Sequence, residues 1–133
     1  QGLCPVNTPS STQAELPCVG GFVSLNGQNY PCSGTSLLSF ISLADLGCSS
    51  SSCDGNDIWG WTDPETDKKY VIAGTTIGTS IVDVTDPLNP VVLVWIPSQV
   101  STATIWRDMK VLNNYVYIVA DRRSQFMQYW DLT

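Results

Sequence analysis

Residues 54–63 gather oxygen-bearing side chains of the kind a hard cation uses: Asp54, Asn56, Asp57 and Asp63, with Glu65 and Asp67 close behind. Calcium takes carboxylate and amide oxygens, and extracellular modules bind it weakly. The spacing is not that of an EF-hand loop, and turns also favour Asp and Asn because these side chains bond nearby backbone amides. Calcium on Asp54, Asn56, Asp57 and Asp63 is therefore the one cofactor that the sequence offers. Catalysis finds less support. The chain has no histidine, so a serine or cysteine nucleophile lacks its usual base. The pairs Asp57/Asp63 and Asp108/Asp121 carry no spacing that marks a glycosidase acid and base. No catalytic residue is assigned, and no enzymatic activity is expected.

The cysteines are the second reactive set. Cys4, Cys18, Cys32, Cys48 and Cys53 all lie in the first 53 residues, and none forms a C-x-x-C pair. Four thiolates could hold zinc, but disulfides in an oxidising compartment are the better reading. Spacing suggests Cys18–Cys32 and Cys48–Cys53, each closing a short loop worth about 2–3 kcal/mol. Cys4 is then left over, which points to an intermolecular bridge or to a partner cysteine outside this segment.

Composition narrows the partners. The chain has 133 residues, a net charge of −6 and six Lys and Arg in all. Polyanion binding needs basic clusters that release counterions, so nucleic acid is excluded as a partner. No apolar run is long enough to span a bilayer. Hydrophobic residues make up 43% and charged residues 14%, enough for a packed core.

The elements that position these groups are strands. Runs rich in Val, Ile, Tyr and Trp predict strands at 57–62, 69–74, 79–84, 91–96, 106–112, 115–120 and 126–131. The pattern recurs: Ile58-Trp59 matches Ile105-Trp106 at an offset of 47, Tyr70 matches Tyr115 at 45, and Asp83 matches Asp131 at 48. A strand-rich period of this size marks a propeller blade. Because Trp59, Trp61, Trp106 and Trp130 follow the repeat, they are expected to pack between blades or at an interface, although flat aromatic faces also suit sugars. Upstream, Asn26-Gly27 predicts a hairpin turn, and 37–41 reads as a strand leading to a short helical turn that stops at Gly47. Three regions result: a flexible arm over 1–16, a cysteine-rich lead-in over 17–56, and blades over 57–133, the second incomplete. The fold class is all-β, an incomplete propeller of about two blades preceded by a disulfide-stapled lead-in.

Asn56-Asp57-Ile58-Trp59-Gly60-Trp61-Thr62-Asp63-Pro64 followed by Tyr70-Val71-Ile72-Ala73-Gly74 resembles the opening of the choice-of-anchor B proteins, which carry LVIVD-type propeller repeats. Ile81-Val82-Asp83-Val84-Thr85-Asp86-Pro87 resembles the repeat itself, and the likeness extends over about residues 17–133. It implies a propeller fold in a secreted or surface-attached protein and implies no enzymatic activity. The expectation is thus an extracellular or cell-surface structural and interaction protein. It would be a homo-oligomer or part of a longer chain, joined through an exposed edge strand into oligomers or filaments. The alternative is a lectin-like module that binds glycans or calcium.

Overall fold

The structure, a computed structural model, describes residues 4–5, 15–99, 101–121, 123–124 and 126–133. Most of the expected N-terminal arm, and the side chain of Cys4, lie outside the described residues.

The fold is all-β, with its strands in antiparallel sheets. After β1 (Cys4–Pro5), β2 (Phe22–Leu25) and β3 (Gln28–Pro31) form a hairpin. Asn26 and Gly27 both take positive φ, 52° and 79°, which is the backbone twist that a two-residue hairpin turn requires. The Cys18–Cys32 disulfide ties the hairpin's base, and Cys48–Cys53 closes a second, smaller loop.

The segment 37–41 is not a strand. Leu37 alone makes a bridge, with Leu16, through hydrogen bonds of 2.9 and 3.0 Å. Leu38 and Phe40 stay 37% and 41% exposed, so no neighbouring strand rewards an extended ladder there. The helical turn that follows is sharply specified. Ser42 Oγ accepts from the Asp45 amide while the Asp45 carboxylate accepts from the Ser42 amide, a reciprocal cap. Gly47, at φ 78°, ends the turn. Its amide donates to Ala44 O and the Cys48 amide to Leu43 O, the paired bonds of a left-handed glycine stop.

The main sheet contains β4 (Gly55–Thr62), β5 (Lys69–Thr75), β6 (Gly78–Asp83) and β7 (Val91–Pro97), in the order β1-β7-β6-β5-β4. Cys4 pairs with Trp95 and Pro5 with Val94, so proline sits on an edge strand, where its missing amide costs least. The second sheet orders β8 (Arg107–Leu112), β9 (Tyr115–Ala120) and β10 (Gln128–Asp131) as β10-β9-β8. The two sheets stack. Side chains alternate between faces along a strand, so Ile72 and its cross-strand neighbour Ile81 share one face with Ile96. That face packs on Met109, Val116 and Ile118, forming a core in which Ile72, Met109 and Val116 are fully buried.

Two registers coincide between the sheets. Tyr70 pairs with Asp83 in the first, and Tyr115 with Asp131 in the second. Beside them, the Val84 amide donates to Lys69 O and the Leu132 amide to Asn114 O, at 2.8 and 2.9 Å. The Ile58-Trp59 and Ile105-Trp106 likeness does not carry over. Trp59 lies within β4, opposite Ile72, whereas Trp106 precedes β8. In ladder terms Tyr70 faces Trp61, and Tyr115 faces Leu112.

The opposite face of the first sheet, bearing Ser80 and Trp95, meets the lead-in. Ser80 Oγ donates to Leu46 O at 2.9 Å, and a Cβ added at Gly47 would stand 2.6 Å from Trp95 Cδ1. Gly47 is thus required twice, for its backbone and for this close approach. Gly47→Ala should cost about 1–3 kcal/mol, measured by urea denaturation, whereas Gly60→Ala, where a Cβ meets nothing within 4 Å, should stay within about 0.5 kcal/mol.

Candidate interaction site at the sheet seam and the β10 edge

The oxygen-rich segment is put to structural use. A register shift between Gly55 and Ile58 bulges the start of β4, and bulges re-aim side chains. Asp57 there reaches across to β8, where its Oδ2 accepts from the Met109 amide at 3.2 Å and from Lys110 Nζ at 3.1 Å. These bonds hold the Asp57 carboxyl below the usual aspartate range, the Met109 amide more than Lys110. Asp63 sits at the far end of β4, roughly 20 Å along the strand at the usual rise. It caps its own turn, accepting from the Glu65 amide at 2.9 Å and from the Thr66 hydroxyl. Asp54 contributes its carbonyl to the Thr76 amide, and Asn56 lies in the bulge. The four candidate calcium ligands are therefore not gathered at one point. Among the described residues, no group of three or more His, Cys, Asp or Glu is placed to hold a metal. The Asp57 carboxylate thus serves the facing strand β8 and the Asp63 carboxylate its own turn.

The tryptophans divide. Trp61 stacks on Tyr70 with ring centroids 5.2 Å apart, and both Trp61 and Trp130 pack against the core. Trp59 is half-exposed beneath Lys110 Nζ, 4.2 Å from its ring centroid, a cation–π contact worth about 0.5–1 kcal/mol at such a site. Trp106 stands 64% exposed. The rings thus serve the seam in two cases and the surface in the others.

Arg107, an arginine in an otherwise apolar stretch, reads from the sequence as a residue that makes a structural ion pair or an interface contact; its partners are a carbonyl and a hydroxyl instead. It is 1% exposed. Its Nε donates to Thr75 O at 2.9 Å and another guanidinium nitrogen donates to Ser98 Oγ. No carboxylate lies within ion-pair distance of it among the described residues, and burial pushes its pKa down. One planar cation thereby ties the β5–β6 turn to the β7–β8 connection. The only sequence signal is its place at the start of an apolar strand.

Two grooves flank these elements. One, of about 370 Å³, is walled by Val23, Leu25, Tyr30, Leu37 and Phe40 in the lead-in. It lacks charged groups and offers no chemistry. The other, of about 200 Å³, opens between the sheets beside Trp61, Ile81, Leu93, Trp130 and Leu132. Among the described residues, the buried indole N–H of Trp130 meets no acceptor. Among the described residues β10 pairs with β9 alone and has no strand on its outer edge. β6, the strand in the corresponding place of the first sheet, is flanked by β5 and β7.

Arg107→Lys should destabilise the fold by about 1–3 kcal/mol in urea, because a single ammonium cannot reproduce the guanidinium fork between Thr75 and Ser98. The Asp57 seam sets a pH dependence. Its folded pKa is depressed, so its stabilisation is complete above the ordinary carboxylate pKa and is lost as pH falls through the lower folded value. Asp57→Asn should reduce the loss of stability between about pH 5 and pH 2, followed by thermal melts in that window.

No protein-family model, curated protein or solved structure matches the chain.

Proposed function

We propose that this is a secreted or cell-surface structural and interaction protein built from propeller-type sheets, which joins further chains or repeats through the open edge of β10. The observation that carries the reading is the side of β10 that is unpaired among the described residues, in the position that β7 fills beside β6. Unpaired strand edges recruit strands because each new pairing satisfies a row of amides and carbonyls. The matched Tyr70–Asp83 and Tyr115–Asp131 registers support a repeated unit, and their shared Asp-x-Thr ends support it further. The Thr85 amide donates to Asp83 Oδ1 at 2.9 Å, and the Thr133 amide to Asp131 Oδ1 at 3.1 Å. Two disulfides favour an oxidising compartment. No helix among the described residues is long and apolar enough to cross a membrane. The likeness to the choice-of-anchor B proteins agrees with this reading and rests on the residues quoted for it.

A glycan-binding role is the second reading, favoured by the exposed rings of Trp106 and Tyr129, 64% and 66% accessible. Tyr129 stacks with Tyr117, centroids 6.3 Å apart, giving a flat aromatic surface of the sort that sugars use. Catalysis is not part of the proposal.

Sedimentation of the 133-residue chain from micromolar to millimolar concentration tests the edge. Its mass should rise with concentration. A peptide of the β7 sequence Val91–Pro97, carrying terminal lysines for solubility, should hold it monomeric by occupying β10. A monomer at every concentration, unaffected by the peptide, would contradict edge-mediated assembly.

A further inference from the structure

We infer that the Cys48–Cys53 disulfide is a thiol–disulfide exchange site, opened by an external dithiol that attacks Cys53, and that its opening loosens the joint which the β5–β6 turn makes with the second sheet. This reactivity is independent of how chains join at β10.

The two bridges differ in what surrounds them. Cys18 and Cys32 are both half-buried at the base of the β2–β3 hairpin. Cys48–Cys53 is lopsided. Cys48 is 1% exposed, while Cys53 is half-buried and follows four exposed serines, Ser49 to Ser52. An attacking thiolate needs access to the sulfur it strikes, so Cys53 is the point of entry and Cys48 the leaving group.

Each sulfur has a hydroxyl suited to its departure. Thr76 Oγ1 lies 3.6 Å from Cys48 Sγ. A bridged sulfur carries no proton, so the threonine is the donor. Ser50 Oγ donates to Cys53 Sγ at 3.4 Å. A hydrogen bond to a thiolate lowers the thiol pKa, and a thiol of lower pKa leaves faster. In the first step a thiolate of the dithiol bonds to Cys53 Sγ, the S–S bond breaks, and its electron pair leaves on Cys48 Sγ beside Thr76. In the second, the reductant's other thiolate attacks its own bridged sulfur, and Cys53 Sγ departs beside Ser50. The two cysteines take up the two protons that the dithiol gives, and the reductant ends as its disulfide.

The same threonine joins the layers. Thr76 is 4% exposed. Its amide donates at 3.1 Å to the carbonyl of Asp54, one residue beyond the bridge. Its carbonyl accepts at 2.9 Å from the Thr104 amide on the β7–β8 connection, and the carbonyl before it, of Thr75, accepts from Arg107 Nε. Opening the bridge therefore untethers Asp54 and places a free thiol against the turn that holds Thr104 and Arg107.

The test applies dithiothreitol, a dithiol, to the folded Cys4→Ser chain and locates the opened thiols by alkylation and tandem mass spectrometry, with Cys18–Cys32 as the internal control. A monothiol in its place should be trapped as a mixed disulfide on Cys53. Thr76→Val should slow the opening of Cys48–Cys53 about fivefold without slowing that of Cys18–Cys32, and Thr76→Ser should restore it. Equal or greater trapping on Cys48, or an unchanged or faster rate in Thr76→Val, would overturn the exchange site. Cys48→Ser with Cys53→Ser in the same background stands for the opened bridge. In that chain the Thr76 and Thr104 amides should exchange with deuterium at least about tenfold faster than in the bridged chain, while those of Val116 and Ile118 stay unchanged. Unchanged exchange at Thr76 and Thr104 would overturn the loosening. Loss of protection at Val116 and Ile118 as well would overturn its confinement to the joint and make the bridge a staple of the whole fold.

Discussion

The structure depends on one apolar seam. Ile72 and Ile96 from the five-stranded sheet meet Met109, Val116 and Ile118 from the three-stranded one, and none of these five retains more than 2% exposure. Burial at this seam offsets part of the entropy of ordering the strands on both sides of it. The seam also requires close approach of the two backbones. A Cβ at Gly74 would come within 2.6 Å of Met109 Cε and 3.5 Å of Arg107 O, both on β8 of the facing sheet, so glycine there sets the spacing between layers.

Polar groups fix the register of that contact. Arg107 reaches from the first residue of β8 to the β5–β6 turn, and Asp57 reaches from the β4 bulge to β8. A hydrophobic seam is non-directional and would tolerate sliding. Two charged side chains that bond backbone groups of the facing sheet are satisfied at one alignment only. Around the seam the lead-in acts as a plate over the other side of the first sheet. Its helical turn is held by the Ser42–Asp45 cap and by the Cys48–Cys53 bridge.

Most of the strands were legible because their signals are local. Tyr70-Val71-Ile72-Ala73 and Tyr115-Val116-Tyr117-Ile118 have β-branched and aromatic residues bounded by turn formers, and both are strands within a residue of the expected limits. The pairs Tyr70–Asp83 and Tyr115–Asp131 were legible as repeated letters. The offset from Trp59 to Trp106 misled, because a two-residue match cannot show that Trp59 is in a ladder while Trp106 is in the loop before one. Leu37 to Ile41 looked like a strand from its apolar content, but pairing is non-local and no partner strand lies beside it. The candidate calcium ligands failed for a related reason: proximity in sequence along a strand is separation in space, and Asp57 turned out to serve a residue more than fifty positions away. A structural use of Arg107 was legible from its place in an apolar stretch, but not its partners, the Thr75 carbonyl and the Ser98 hydroxyl, which come from distant segments.

What unites these observations is an unequal pair of layers: the first sheet has the second sheet on one face, part of the lead-in on the other and β1 paired at β7, and among the described residues the second sheet is unpaired at the β10 edge. Hydrogen–deuterium exchange on the dilute monomer tests that inequality directly. The amides of β6, flanked by strands on both sides, should exchange slowly throughout, while alternate amides of β10 exchange fast. Uniform protection along β10 equal to that of β6 in the dilute monomer would mean that the edge is already closed, and would contradict an account in which joining at that edge is what the protein does.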